Sequence, residues 1–251
     1  MAQWVRGYVL HSRPFQDNKL LLDIFTQELG LIRGVFRRNK KEARVTPGPF
    51  LFYECFVSGR GELKTIQKVE ASGAAAQLSG TSLYSAFYIH EIMERLLPFH
   101  LPLPELFQLY QWLLQGFITG LPLAPILRRF EAGLFHELGN EVPLAATSRG
   151  EPLQPQQIYQ LDGQHGLRPY FGEQPKVKPL IFVEGAVANA YVAGLWSDPL
   201  VLLMGKELHR IWLDQLLGKP INARKLLPQQ PYQGERLWQV PLFRYPVIGV
   251  N

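Results

Sequence analysis

The chain has 251 residues, enough for one large domain or two ordinary ones, and its 47% hydrophobic and 12% aromatic content is that of a folded protein. It carries a net charge of +5 and a single cysteine, Cys55, which excludes an intramolecular disulfide and any multi-cysteine zinc site. No apolar run approaches the roughly 20 residues of a membrane span, and the opening MAQWVRGYVLHSRP lacks the apolar core and cleavage site of a signal peptide, so a cytoplasmic protein is expected.

The first seventy residues read as β structure. Trp4 to His11, Lys19 to Thr26, Leu31 to Phe36, Pro49 to Val57 and Leu63 to Val69 are five short runs rich in β-branched and aromatic residues, separated by turn-formers such as SRPFQDN, ELG and SGRGE. Five strands in so short a stretch predict a small closed barrel, which removes exposed sheet edges, and the OB-fold is the natural form. Cys55, in the strand-like setting FLFYECFVS, reads as a buried inert thiol.

Between the third and fourth strands the chain reads RGVFRRNKKEAR. Arg33, Arg37, Arg38, Lys40, Lys41 and Arg44 face one acid, Glu42, so this segment alone carries +5, the net charge of the whole protein. Such crowding of like charge on a barrel loop is an electrostatic footprint for a polyanion such as nucleic acid; the plainer reading is a solvated loop.

From about residue 80 the apolar period becomes helical. Helices are predicted over Ser82 to Leu97, Leu106 to Ile118 and about Ala124 to Leu138, where Gly139 stops the last. Residues 140–180 are irregular and rich in Pro, Gln and Gly, with short strands expected near Gln157 to Leu161 and Leu167 to Tyr170. Helical pattern returns from about Val183 to Leu195 and from Pro199 to Leu217, ended by Gly218 and Pro220. The tail from about 228 offers one late strand, LWQVPLF. The expected class is α+β: an OB-fold barrel over 1–78, then a mainly helical domain over 79–251.

Catalytic signatures are missing where they would have to stand. HELGN at His136 begins like a zinc-protease helix, but Asn140 occupies the place of the second histidine. Lys206 and Lys219 follow glycines outside any phosphate loop, and the six histidines show no ligand spacing. A non-enzymatic protein without cofactor or metal is expected.

Several stretches together resemble the RecO family of bacterial recombination mediators. VLHSRPFQDNKLLLDIFTQELGLIRGV is similar to the family's first three strands. GRGELKTIQKVEA followed by LSGTSLYSAFYIHEIMERLL is similar to its last barrel strand and first helix. ILRRFEAGLFHELG resembles its LRRFE helix, and LLGKPINARKLL its late Gly-Lys-Pro segment. These pieces run from residue 4 to about 227. Two departures stand out. The four-cysteine zinc motif of many members is absent, since Glu141 to Pro179 holds no cysteine, and the family's glycine-bearing basic turn is altered to FRRNKKEARVTPG.

The resemblance implies a protein of the RecF pathway that binds single- and double-stranded DNA, anneals complementary strands coated by the single-strand-binding protein SSB, and helps RecA load together with RecR, without nucleotide hydrolysis. DNA contact is expected at Arg33, Arg37, Arg38, Lys40, Lys41 and Arg44, with Arg6, Arg13, Lys19, Arg60, Lys64 and Lys68 as extensions and Phe15 or Phe36 as stacking platforms or barrel core. The family's LRRFE motif implies contact of Arg128 with the acidic, Phe-terminated SSB tail, with Arg129 as a second candidate. On a helix the two diverge by about 100°, and either is alternatively a surface arginine paired with Glu131 or Glu137. Lys206, Arg210, Lys219, Arg224 and Lys225 form a weaker basic set. A generic OB-fold RNA-binding protein and a structural adaptor are the competing readings.

Overall fold

The computed structural model describes residues 2–38, 46–73, 76–162, 166–172 and 181–226. Lys40, Lys41, Arg44 and the late strand anticipated after residue 228 lie outside them.

Five strands close the barrel: β1 (Gln3–Phe15), β2 (Lys19–Thr26), β3 (Gly30–Arg37), β4 (Phe52–Ser58) and β5 (Leu63–Ala71). They follow the order β1-β2-β3-β5-β4, with β4 returning to β1, and β3 and β5 the parallel pair. The period-2 pleat sorts their side chains. Val5, Val9, Leu20, Leu22, Ile24, Ile32, Tyr53, Cys55, Val57 and Ile66 form the barrel's own core. Burial pushes the Cys55 thiol up to about 12, which keeps it protonated and inert. Gly7 is required on β1, because a Cβ there would sit 2.1 Å from the Phe25 carbonyl oxygen of β2.

β1 is longer than its sequence pattern, running through Ser12-Arg13-Pro14. Pro14 is tolerated because β1 pairs with β4 only as far as Tyr8, so beyond that point one edge of the strand is open and needs no ladder N–H.

Helices α1 (Gly80–Leu96), α2 (Pro104–Ile118) and α3 (Leu123–Glu137) follow, then a small sheet of β6 (Ile158–Asp162), β7 (Gly166–Pro169) and β8 (Ile181–Glu184), and finally α4 (Gly185–Val192), α5 (Pro199–Leu217) and a 3₁₀ turn (Asn222–Lys225). The sheet order is β7-β6-β8. The predicted helix from Val183 is corrected: its first residues belong to β8, which passes into α4 without a loop. For α5 the local chemistry is complete. Asp198 caps it, accepting from Leu200 N (2.7 Å) and Val201 N (3.3 Å), Pro199 stands at its first turn, and Gly218 ends it at φ 60°.

The second face of the barrel packs on the helices. Tyr8, Leu10, Phe25, Leu31 and Phe50 belong to the same buried cluster as Ile89, Met93, Leu106, Phe107, Tyr110 and Phe130. His90 of α1 joins the two parts: one ring nitrogen bonds the Leu10 carbonyl (3.2 Å), the other the Tyr110 hydroxyl. Burial pushes its pKa down to about 3, so the ring is neutral, donating from Nδ1 and accepting at Nε2. The connector after α1 also lies along β3, where Leu31 bridges Phe99 and His100 N donates to Leu31 O (2.9 Å).

Candidate nucleic-acid interface and arginine sites

The β2–β3 ladder sets the first site. Lys19 and Arg37 are direct cross-strand partners, so their side chains leave the same face at the end of the barrel from which residues 39–45 depart. Arg37 is exposed, and Arg38 N is tied to Asn18 O (2.8 Å), which holds this edge in register. Like charges directly opposite on neighbouring strands are destabilising unless something neutralises them. Lys19 Nζ donates to Gln16 Oε1 (2.8 Å), a neutral group, and no acid pairs with Lys19, Arg37 or Arg38 among the described residues. The chain re-enters where Gly48 N donates to the Tyr53 hydroxyl (2.9 Å). Cationic side chains bond phosphates without reading bases.

Arg33 is differently placed. It points from β3 onto Asp23 of β2, which is buried, with Nε to Oδ1 at 2.5 Å and Nη2 to Oδ2 at 2.8 Å, and its guanidinium lies over the Phe99 ring at 5.2 Å. Its charge is therefore compensated within the fold. His11 and Glu94 adjoin this pair; with Asp23 their ligand atoms lie within 4.8 Å of one another, but both Asp23 oxygens already accept from Arg33. Among the extensions, Arg6 pairs with Glu28 (3.0 Å), Lys64 Nζ donates to the Gly61 carbonyl (2.8 Å), and Lys68 lies 5.9 Å over the Trp4 ring. Phe36 packs against the barrel core, and Phe15 is half-buried beside Lys19.

The two arginines of α3 diverge as the helical step requires. Arg129 turns toward α2 and stacks on Trp112 at 4.4 Å. Gly133, one turn on, allows that approach: a Cβ there would lie 2.3 Å from the Leu109 side chain. Arg128 turns toward α5, its methylenes over Gly205, where a Cβ would stand 3.5 Å from both Arg128 and Trp196. Only 12% of its side chain is exposed, and Nη2 donates to Glu131 Oε1 (2.9 Å).

Glu131 is fully buried and organises four helices. Oε1 also accepts from Tyr88 of α1 (2.7 Å), Oε2 accepts from His209 Nδ1 of α5 (2.6 Å), and His209 Nε2 accepts from Tyr191 of α4 (2.6 Å). Burial alone would push the Glu131 carboxyl up, but the Arg128 charge and the His209 and Tyr88 hydrogen bonds hold it below the usual carboxylate range. Burial lowers His209 against the pull of Glu131, so the cluster is a directly paired carboxylate and guanidinium whose carboxylate also accepts from neutral Tyr88 and His209. Pairing of Arg128 with Glu131 was readable from their i,i+3 spacing; His209, 78 positions away, and the Trp112 and Trp196 rings gave no local signal. In the weaker basic set Arg224 is paired with Asp214 (2.5 Å), while Lys206 is exposed.

None of the described helices is long and apolar enough to cross a membrane. The family model for the recombination protein O N-terminal region matches residues 1–74, and that for its C-terminal region matches residues 77–177. Among curated proteins, the chain is 38% identical over 220 residues to the DNA repair protein RecO of Pseudomonas paraeruginosa, covering 87% of this chain and 92% of that one. It is 37% identical over 221 residues to its namesake in Pseudomonas putida, covering 88% and 95%, and 36% identical to that of Stutzerimonas stutzeri, covering 88% and 91%. A five-stranded barrel with a cationic rim, followed by helices that carry the ILRRFE segment, thus agrees with sequence identity along most of its length: the chain belongs to the RecO family of DNA repair proteins.

Proposed function

We propose that the protein is a recombination mediator that binds single- and double-stranded DNA through the barrel rim, anneals complementary strands coated by SSB, and helps RecA load with RecR. The observation that carries this is the Lys19–Arg37 pair next to the basic segment, like charges side by side with no acid on them among the described residues. Annealing requires cations that screen phosphate repulsion while leaving base edges free to pair, and Arg37, Arg38, Lys40, Lys41 and Arg44 meet that need. Arg33, paired with Asp23, contributes by fixing the strand from which these residues emanate. The reading contains no catalytic step.

Tail recognition falls to the helices. An acidic, Phe-terminated peptide needs a guanidinium beside apolar surface, and Arg128 lies against Gly205 and Trp196, with Arg129 on Trp112. Because Arg128 also balances Glu131, its removal to alanine mixes folding with binding. Arg128→Lys keeps the charge and loses the planar fork. This variant is expected to bind an SSB tail peptide about 10-fold more weakly, with bare-DNA affinity unchanged. Unaltered tail affinity would place the tail elsewhere.

The test of the whole reading is annealing of complementary oligonucleotides precoated with the cognate SSB, without nucleotide, at two salt concentrations. Salt-sensitive annealing that disappears when the last residues of SSB are removed is the expected result. Annealing of bare strands alone would indicate a general cationic OB-fold protein without SSB recognition.

A further inference from the structure

A second cationic cleft lies far along the chain from the barrel rim. Thr147 is buried, and its Oγ1 accepts from Arg149 N (3.3 Å) and Glu151 N (3.1 Å), while Thr147 N donates to Glu151 O (2.9 Å). Such hydroxyl-to-backbone bonds define a tight turn. The turn is docked on β7 by a Thr147–Leu167 bridge and by Ser148 N on Leu167 O (2.7 Å). Leu167 points into the core, so the alternate residue, Arg168, points outward beside Arg149. Phe171 follows, 86% exposed, the most exposed large apolar side chain described. Together with Glu151 these groups line a cleft of about 480 Å³.

We propose that this cleft takes single-stranded DNA, with a backbone phosphate between Arg149 and Arg168 and a base stacked on Phe171. Among the described residues neither arginine is in an ion pair, although Glu151 lines the same cleft. Two guanidiniums outside any ion pair among the described residues outweigh the one carboxylate and favour an anion, whose oxygens they bond in a fixed planar geometry. A phenyl ring standing almost wholly in solvent costs hydration unless a flat partner covers it, and every base has a π-face to do so. An acidic peptide would satisfy the arginines, but its apolar side chains need an apolar pocket, whereas here a single exposed ring, Phe171, stands beside Thr147, Ser148, Arg149, Glu151 and Arg168. The ligand's identity rests on the DNA-binding reading above; the site itself does not.

The experiment is anisotropy of a labelled oligothymidylate with the full-length protein, across a salt series. Arg149→Gln with Arg168→Gln is expected to weaken binding about 10-fold or more and to lower the salt slope by about 1.4, the share of two phosphates on a single strand. Phe171→Ala is expected to lose about 10-fold with the slope kept, Phe171→Trp to restore it, and an oligonucleotide with abasic sites to show no dependence on residue 171. Wild-type affinity in the cleft variants, alongside loss of binding in a barrel-rim variant, would overturn the proposal and leave the rim reading standing. Loss in the cleft variants with the rim variant unaffected would support the cleft and overturn the rim. Dependence of an acidic peptide, but not of DNA, on Arg149 and Arg168 would make the cleft a peptide site and overturn the proposal.

Discussion

Changing Arg37, Arg38, Lys40 and Lys41 together to glutamate is expected to abolish strand annealing and to weaken single-stranded DNA binding about 100-fold or more at physiological salt. Four lost phosphate contacts lower the salt slope by about 3, since each contributes about 0.7 on a single strand, and the introduced carboxylates add repulsion. The fold should be retained. Arg37 is exposed, and what Arg38 gives the barrel is a backbone bond to Asn18 that survives a change of side chain. Annealing at the parent rate would remove the loop from the DNA path. The same substitutions with Asp23 and Arg33 left intact separate the rim from the structural pair, which no DNA need touch.

The second large effect concerns stability. Glu131→Ala strands the Arg128 guanidinium, the His209 Nδ1–H and the Tyr88 hydroxyl in a dry interior. Breaking a buried ion pair by removing one partner costs about 3–5 kcal/mol, equivalent for a chain of this size to about 10 °C in melting temperature. An unchanged melting curve would show that the cluster does not hold the helices together. The parent protein should also be acid-labile, for reasons that add. The His90 and His209 rings are neutral in the fold and take up a proton when unfolded, so below the ordinary histidine value near 6.5 the unfolded chain binds more protons and stability falls; for His90 this continues to about 3. The share from Glu131, whose carboxyl is held low, is present above the ordinary carboxylate value and is lost as pH falls through the folded one. Unfolding free energy measured against pH should therefore decline from about pH 6.5 downward.

The fold was legible wherever local chemistry decided it. β2 and α5 have the bounds that their patterns predict, because β2 is a largely apolar run between turn-formers and α5 has its Asp198 cap, Pro199 and Gly218 in place. The end of β1 was not legible, since Ser-Arg-Pro reads as a turn until the open edge beside Pro14 is known. β8 was masked by its direct passage into α4, whose alanines extend a helical pattern backward. At the site, the concentration of charge was visible in the sequence, but its division was not. Asp23 sits in an apolar strand and gives no sign that it will bind Arg33, and only strand register brings Lys19 to Arg37. The Glu131 cluster draws on four helices, so no window of sequence contains it.

The cluster that buries Tyr8, Leu10, Phe25, Leu31 and Phe50 of the barrel among helical side chains makes the two parts one cooperative unit. The barrel's interior can fill itself, but its second face cannot, and an excised barrel would present those five side chains and an unpartnered Leu10 carbonyl to water. Such an exposed apolar patch promotes association. The barrel is therefore not a portable module in the way a linker-joined domain is, and any event that loosens the helices also reaches the rim proposed to bind DNA.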